Sequence, residues 1–313
     1  MLKIISYHTS LQKEWDTFVD CSKNGTFLFG RQYMDYHQKR FTDCSLMIYK
    51  NNRLTALFPA NITEDGVIYS HQGLTYGGLI LATHTTAQDV IDIFFAINTH
   101  YKEKGGQRLI YKAIPHIYQR FPSDEDLYAM FKVCHAQLIA RDIASVAIPL
   151  NAIRFSELRR RGIKKAQQHG VSIQVSKQYA DFWQILSENL HSKYKVTPVH
   201  TLSEIELLAA RFPQNIRLYT AERNGKVIGG TVIYETETVN HVQYISANEE
   251  GKAIGALDLL FDCLINEVYH TSHYFDFGRS TEQGGMFLNQ SLIFQKEGFG
   301  GRGVCYDTYE WAL

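Results

Sequence analysis

The sequence predicts a mixed α/β protein built from two similar halves. Three observations carry this: a repeated strand–turn–strand pattern, a repeated amphipathic helix, and a strand after each helix. In the first half Ser45-Leu46-Met47-Ile48-Tyr49 runs into the polar turn Lys50-Asn51-Asn52-Arg53, and an apolar strand follows over 54–60. In the second half residues 216–222 run into Arg223-Asn224-Gly225-Lys226, with a strand over 227–234. Asn-Gly between apolar runs is a strong hairpin signal, because the tight turn needs positive φ at its centre. Each hairpin leads to a further strand region and then a helix. Residues 87–102 carry Val90, Phe94, Ile97 and Tyr101 on one face. Residues 253–269 carry Leu257, Leu260, Phe261, Leu264 and Val268 at helical spacing. Strands follow at 108–112 and 274–277. The two units repeat at an offset of about 170 residues, the period of a duplicated β-β-β-α-β unit. Between them lie a basic helix over 154–169, a strand over 171–175 and a helix over 179–194. The expected domains are 1–150 and 151–313, each a mixed, mostly antiparallel sheet flanked by helices.

Composition fits two folded domains. The chain has 313 residues, 45% hydrophobic and 20% charged, which argues against disorder. Nineteen Tyr and six Pro favour sheet over linker. The 32 basic and 32 acidic side chains cancel, so no global basic excess points to nucleic acid. Five scattered Cys form neither a disulfide framework nor a zinc spacing. His270 and His273 sit three apart with no further ligands, so no metal is expected. The apolar run at residues 1–8 is too short for a signal peptide, so none is expected, and no apolar run is long enough to span a membrane. A cytoplasmic protein is expected.

Several motifs invite functional readings. Gly298-Phe299-Gly300-Gly301-Arg302-Gly303 spells G-x-G-x-x-G, but the following Val304 to Trp311 alternates like a strand, so a dinucleotide loop is not expected. Residues 248–256 join a strand to a helix and contain Gly251 and Gly255. Free N–H groups at a helix start suit a pyrophosphate, although a loop also uses glycine simply to turn. Phe275-Asp276-Phe277-Gly278-Arg279-Ser280-Thr281 ends a strand with polar groups, a common place for ligand sites in α/β folds. Asp276 reads equally as a general base or as an inward Asp held by backbone. Lys296 reads as an anion ligand or as a solvated lysine. Arg159-Arg160-Arg161-Gly162-Ile163-Lys164-Lys165 reads as a phosphate grip or as a solvated helix face.

Taken together, these residues resemble FemAB-like transferases of the GNAT superfamily. Arg160-Arg161-Gly162-Ile163-Lys164-Lys165-Ala166 with His169-Gly170-Val171 looks like the segment opening their second domain. Tyr76-Gly77-Gly78 looks like their Y-G-G element, and Lys296 with Gly298-Phe299-Gly300-Gly301 like their K-x-G-F-G-G segment. The resemblance covers nearly the whole chain and implies two tandem GNAT-type acyltransferase domains in a bacterial enzyme. It implies one of two donors: acyl-coenzyme A, or an aminoacyl-tRNA used on a cell-wall precursor. Residues 251–255 depart from the usual Q/R-x-x-G-x-G/A pyrophosphate pattern, and no inserted coiled-coil arm is evident.

The leading expectation is an N-acyltransferase moving an acyl group from acyl-coenzyme A to an amine. The alternatives are an aminoacyl-tRNA-dependent transferase and a non-catalytic binding protein that keeps the fold. An amine must lose a proton to attack a carbonyl, and a backbone N–H on a splayed strand can polarise that carbonyl. The expected catalytic residues are Asp276 and Tyr244. The donor is expected at Ser246, Asn248, Gly251, Lys252 and Gly255. The acceptor, a small-molecule amine or cell-envelope precursor, is expected between the halves at Tyr76, Gly77, Arg279, Ser280 and Lys296.

Overall fold

The computed structural model describes residues 2–313. It divides into two compact units that interleave in sequence. One comprises 2–142, Thr281–Phe287 and Cys305–Leu313; the other comprises Ile143–Ser280 and Leu288–Val304. Residues 143–150 thus pack with the second unit, and the C-terminal segment with the first.

In the first unit β1 (Leu2–Ser6) pairs antiparallel with β2 (Leu46–Lys50), which forms a hairpin with β3 (Arg53–Phe58). The turn places Asn51 and Asn52 at φ 49° and 64°, as a tight hairpin requires. Strand β3 also pairs with β5 (Ile80–Leu81). Strand β4 (Val67–Tyr69) runs parallel to β6 (Arg108–Lys112), whose other edge takes residues 308–312 antiparallel. Helix α1 (Ala87–Glu103) leads into β6. Thr86 starts α1 through a capping box with Asp89. Its buried Val90, Ile93, Phe94, Ile97 and Tyr101 recur at helical spacing and join Leu109, Tyr111 and Trp311 in one apolar cluster.

The second unit also carries an antiparallel hairpin followed by helices and a further strand. Helix α2 (Glu157–Gln168) and β7 (Ser172–Ser176) come first, then α3 (Tyr179–Tyr194) and α4 (Leu202–Arg211). Strand β7 pairs with β8 (Ile216–Arg223), β8 with β9 (Lys226–Glu235), and β9 with β10 (Val239–Ala247), all antiparallel. The β8–β9 turn holds Asn224 and Gly225 at φ 50° and 72°. Strand β11 (Tyr274–Arg279) is parallel to β10 and antiparallel to residues 144–147.

The helix expected over 253–269 is interrupted. Gly255 adopts φ 81°, ending α5 (Glu249–Ile254) and starting α6 (Ala256–Cys263), and Leu264–Val268 continue as a π turn. A Cβ on Gly255 would lie 2.6 Å from the Gly162 carbonyl oxygen, so the break lets α6 approach α2 closely. Phe261, Phe275, Phe277 and Phe299 pack mainly edge-on at centroid distances of 5.1–6.1 Å, forming the core behind β11. Each such pair adds about 0.5–1.5 kcal/mol beyond area burial.

Candidate active site

The parallel strands β10 and β11 pair only at Val239↔Tyr274, Asn240↔Phe275 and His241↔Asp276. Past this point the register ends. Two local irregularities coincide with it. The β9–β10 register shifts after Val232, which leaves Gln243 as an extra residue. As a result Val242 and Ile245, rather than residues two apart, both face the apolar cluster under α6. In β11, Gly278 takes φ 73°.

Phe275 and Phe277 point into the apolar cluster, so strand alternation puts Asp276 on the other face. There His241 Nδ1–H donates to Asp276 Oδ2 at 2.8 Å, and Gly278 N–H donates to Oδ1 at 2.7 Å. Asp276 is 0% exposed, while His241 keeps 13% of its side chain open. A carboxylate can only accept, so Nδ1 carries a proton, and in the neutral ring the lone pair is on Nε2. A buried carboxylate orienting a histidine is the arrangement that positions a general base. Asp276 is therefore placed to orient the ring, and His241 is the candidate base. Sequence reasoning missed His241 because it lies 35 residues before Asp276 and meets it only through parallel strand pairing.

Lys296, near the end of α7 (Gln290–Glu297), is 7% exposed. Its ammonium donates to Gly278 O at 2.8 Å and Arg279 O at 2.7 Å, which braces the end of β11. Burial pulls its pKa down to about 8, with Asp276 working in the opposite direction. Arg279 itself is exposed. Ser280 is buried with its hydroxyl unpartnered, and its N–H donates to Ile143 O.

Tyr244 is engaged elsewhere. Its hydroxyl lies 2.5 Å from His200 Nδ1 and its ring meets Trp183 edge-on at 4.9 Å. Burial pushes its pKa up to about 12, so it keeps its proton. Two of the expected donor residues, Ser246 and Lys252, meet at Asn189. Its Nδ2 donates to Ser246 Oγ at 2.7 Å and to Ala247 O at 2.8 Å, and Lys252 Nζ donates to its Oδ1 at 2.6 Å. Asn248 Oδ1 caps Gly251 N–H at 2.8 Å. Gly251 has a packing cause, since a Cβ would lie 2.3 Å from Ile228 O. Glu249 and Glu250 occupy the first turn of α5, with Glu250 paired to Arg223 at 2.7 Å.

In the first unit Tyr76 is buried. Its hydroxyl lies 3.2 Å from Thr26 Oγ1 and its ring 4.3 Å from Tyr118. Gly77 is required because a Cβ would overlap Ser70 O at 1.8 Å. The basic run of α2 divides by burial. Arg159 donates to Asp258 at 2.6 Å and lies over the Phe299 ring, Arg160 pairs with Glu157, and Arg161, Lys164 and Lys165 are exposed.

Residues 155–283 match the family model described as an acetyltransferase (GNAT) domain. This segment is similar to GNAT acetyltransferase domains. It holds His241, Asp276 and the β10–β11 parting. Over its whole length the chain shares its fold with several solved structures. FemX superposes with a TM-score of 0.71 at 8% identity, covering 99% of this chain and 97% of FemX. The C-terminal domain of an Agrobacterium fabrum protein described as a lysylphosphatidylglycerol synthetase superposes at 0.61 with 9% identity, covering 97% and 92%. A tandem GNAT protein from the clavulanic acid biosynthesis pathway superposes at 0.52 with 9% identity, covering 100% and 98%. No curated protein matches the sequence. No described helix is long and apolar enough to cross a membrane.

Proposed function

We propose that the protein transfers an acyl group from an activated carrier to an amine, with His241 as general base. The His241–Asp276 pair, set where β10 and β11 stop pairing, carries this reading. The acceptor amine gives its proton to His241 Nε2 as its nitrogen bonds to the carbonyl carbon. Main-chain N–H groups on the edge of β10 beyond His241 polarise the carbonyl oxygen. Collapse of the intermediate breaks the bond to the carrier, whose thiolate or alkoxide leaves with the proton from His241. Lys296 and Gly278 hold the end of β11 so that Asp276 keeps its aim.

Acyl-coenzyme A is the donor that the acetyltransferase domain supports, with its diphosphate near Asn248–Gly255. One observation favours an aminoacyl-tRNA instead. Asn248 already caps α5 and two carboxylates fill its first turn, which opposes a pyrophosphate there. One neighbour is named for making lysylphosphatidylglycerol, a product that carries an aminoacyl group; the acceptor class of this second reading is a cell-envelope amine. The test incubates the protein with acetyl-coenzyme A or a charged tRNA and a panel of amines, following carrier release. Amine-dependent release from one donor, lost in His241→Ala, is the expected result. Release from neither donor, or equal release by the variant, overturns the reading.

A further inference from the structure

The first unit holds a separate polar cavity of about 400 Å³, lined in part by Arg31, Met34, Asp35, Phe41, Asp43 and His71. His71 is 3% exposed and takes φ 68°, the left-handed region that non-glycine residues enter only at a cost. Its ring is held at 5.4 Å from Phe41 and 5.5 Å from His37. The loop carrying it is pressed onto His37 at Gly73, where a Cβ would lie 2.0 Å from the imidazole.

Nδ1 of His71 is buried with no hydrogen-bond partner. Proteins rarely leave such a nitrogen unmet, and an absent ligand is one cause. Burial pulls the imidazole pKa down to about 3, so the ring is neutral, with one nitrogen a donor and the other an acceptor. Across the cavity Arg31 is fixed between two carboxylates, donating to Asp35 at 2.6 Å and Asp43 at 2.8 Å. Arg31 and Lys39 balance Asp35 and Asp43, so the lining carries no net charge to hold an ion. What it offers is the His71 imidazole and the Arg31, Asp35 and Asp43 polar groups beside the apolar Met34 and Phe41.

We propose that this cavity binds a neutral polyhydroxylated ligand, a sugar or cyclic polyol, with His71 hydrogen-bonded to one of its hydroxyls. The site is independent of the acyl-transfer reading, because its test measures binding alone. The probes are glucose, galactose, N-acetylglucosamine and inositol, with inorganic phosphate and methylamine as charged controls. Binding to the full chain is read by nitrogen-15 imidazole NMR and by melting temperature. At least one neutral probe should shift the His71 resonances and raise Tm, while the charged controls do neither. His71→Asn keeps a residue that tolerates the left-handed backbone. It should abolish the Tm response while its own Tm holds or rises, because an unmet buried nitrogen is gone. If that variant melts much lower, Phe41→Leu must still weaken the response. Silence from all four neutral probes, equal shifts from the charged controls, or an undiminished response in the variant overturns the proposal.

Discussion

Asp276→Asn isolates the orienting role of the buried carboxylate. Asparagine has nearly the same shape, so its carbonyl oxygen keeps the Gly278 N–H bond seen at 2.7 Å. Its NH₂ group then faces His241 Nδ1, which sits 2.8 Å from the native oxygen. A donor there makes Nδ1 accept, and the ring proton moves to Nε2. The base has lost its lone pair at the reacting edge. Both hydrogen bonds survive in altered form, so stability should fall by only about 1 kcal/mol. Removing a positioned general base costs about 10²–10⁴-fold in rate. At 1.36 kcal/mol per decade that is roughly 3–5 kcal/mol of barrier. Single-turnover carrier release with saturating amine measures the loss, and nitrogen-15 imidazole NMR reads the tautomer directly. A variant that shows the switched tautomer but transfers at the parent rate refutes the reasoning.

Further predictions follow from the surrounding contacts. Lys296→Met strands two carbonyls that now share its ammonium and should lower stability by about 1–3 kcal/mol in chemical denaturation. The folded pKa of Lys296, about 8, lies below its ordinary 10.5, so the unfolded chain binds more protons between these values. The parent should therefore gain stability as pH rises from about 8 to 10.5 and lose that gain as pH falls again, a slope absent in Lys296→Met. Gly251→Ala should cost about 1–3 kcal/mol, because its Cβ meets the Ile228 carbonyl and cannot be accommodated by a rotamer change; an unchanged melting curve contradicts this. Arg159→Ala leaves the buried Asp258 without its 2.6 Å partner and should cost about 2–4 kcal/mol, read by thermal unfolding. Coenzyme A at a hundred times its Kd would add about 2.7 kcal/mol to stability. A melting curve that coenzyme A leaves unmoved favours the aminoacyl carrier.

The local grammar of the fold was legible. Asn224-Gly225 and Asn51-Asn52 set both hairpin turns through positive φ, and the apolar spacing of α1 marked its buried face. The strand after Gly298-Phe299-Gly300 is Arg302–Ala312, as its alternation implied. Less visible was anything that depends on packing between distant segments. Gly255 looked like a residue inside a helix, but its close approach to Gly162 breaks the helix in two. The glycines at 251 and 77 resembled ligand-binding positions, whereas neighbouring carbonyls leave no room for a side chain at either. Asp276 stood out for its polar surroundings at a strand end. Its partner did not, because His241 is a single residue in an ordinary strand and gains its meaning only from the parallel pairing that places it opposite Asp276.

The central claim is that His241 takes the proton from the acceptor amine. The most direct measurement is the single-turnover rate of His241→Gly, with and without imidazole in solution, using whichever donor the parent consumes. The account predicts a loss of about 10²–10⁴-fold and a return of activity that grows with the concentration of unprotonated imidazole. Transfer at the parent rate without imidazole would contradict it.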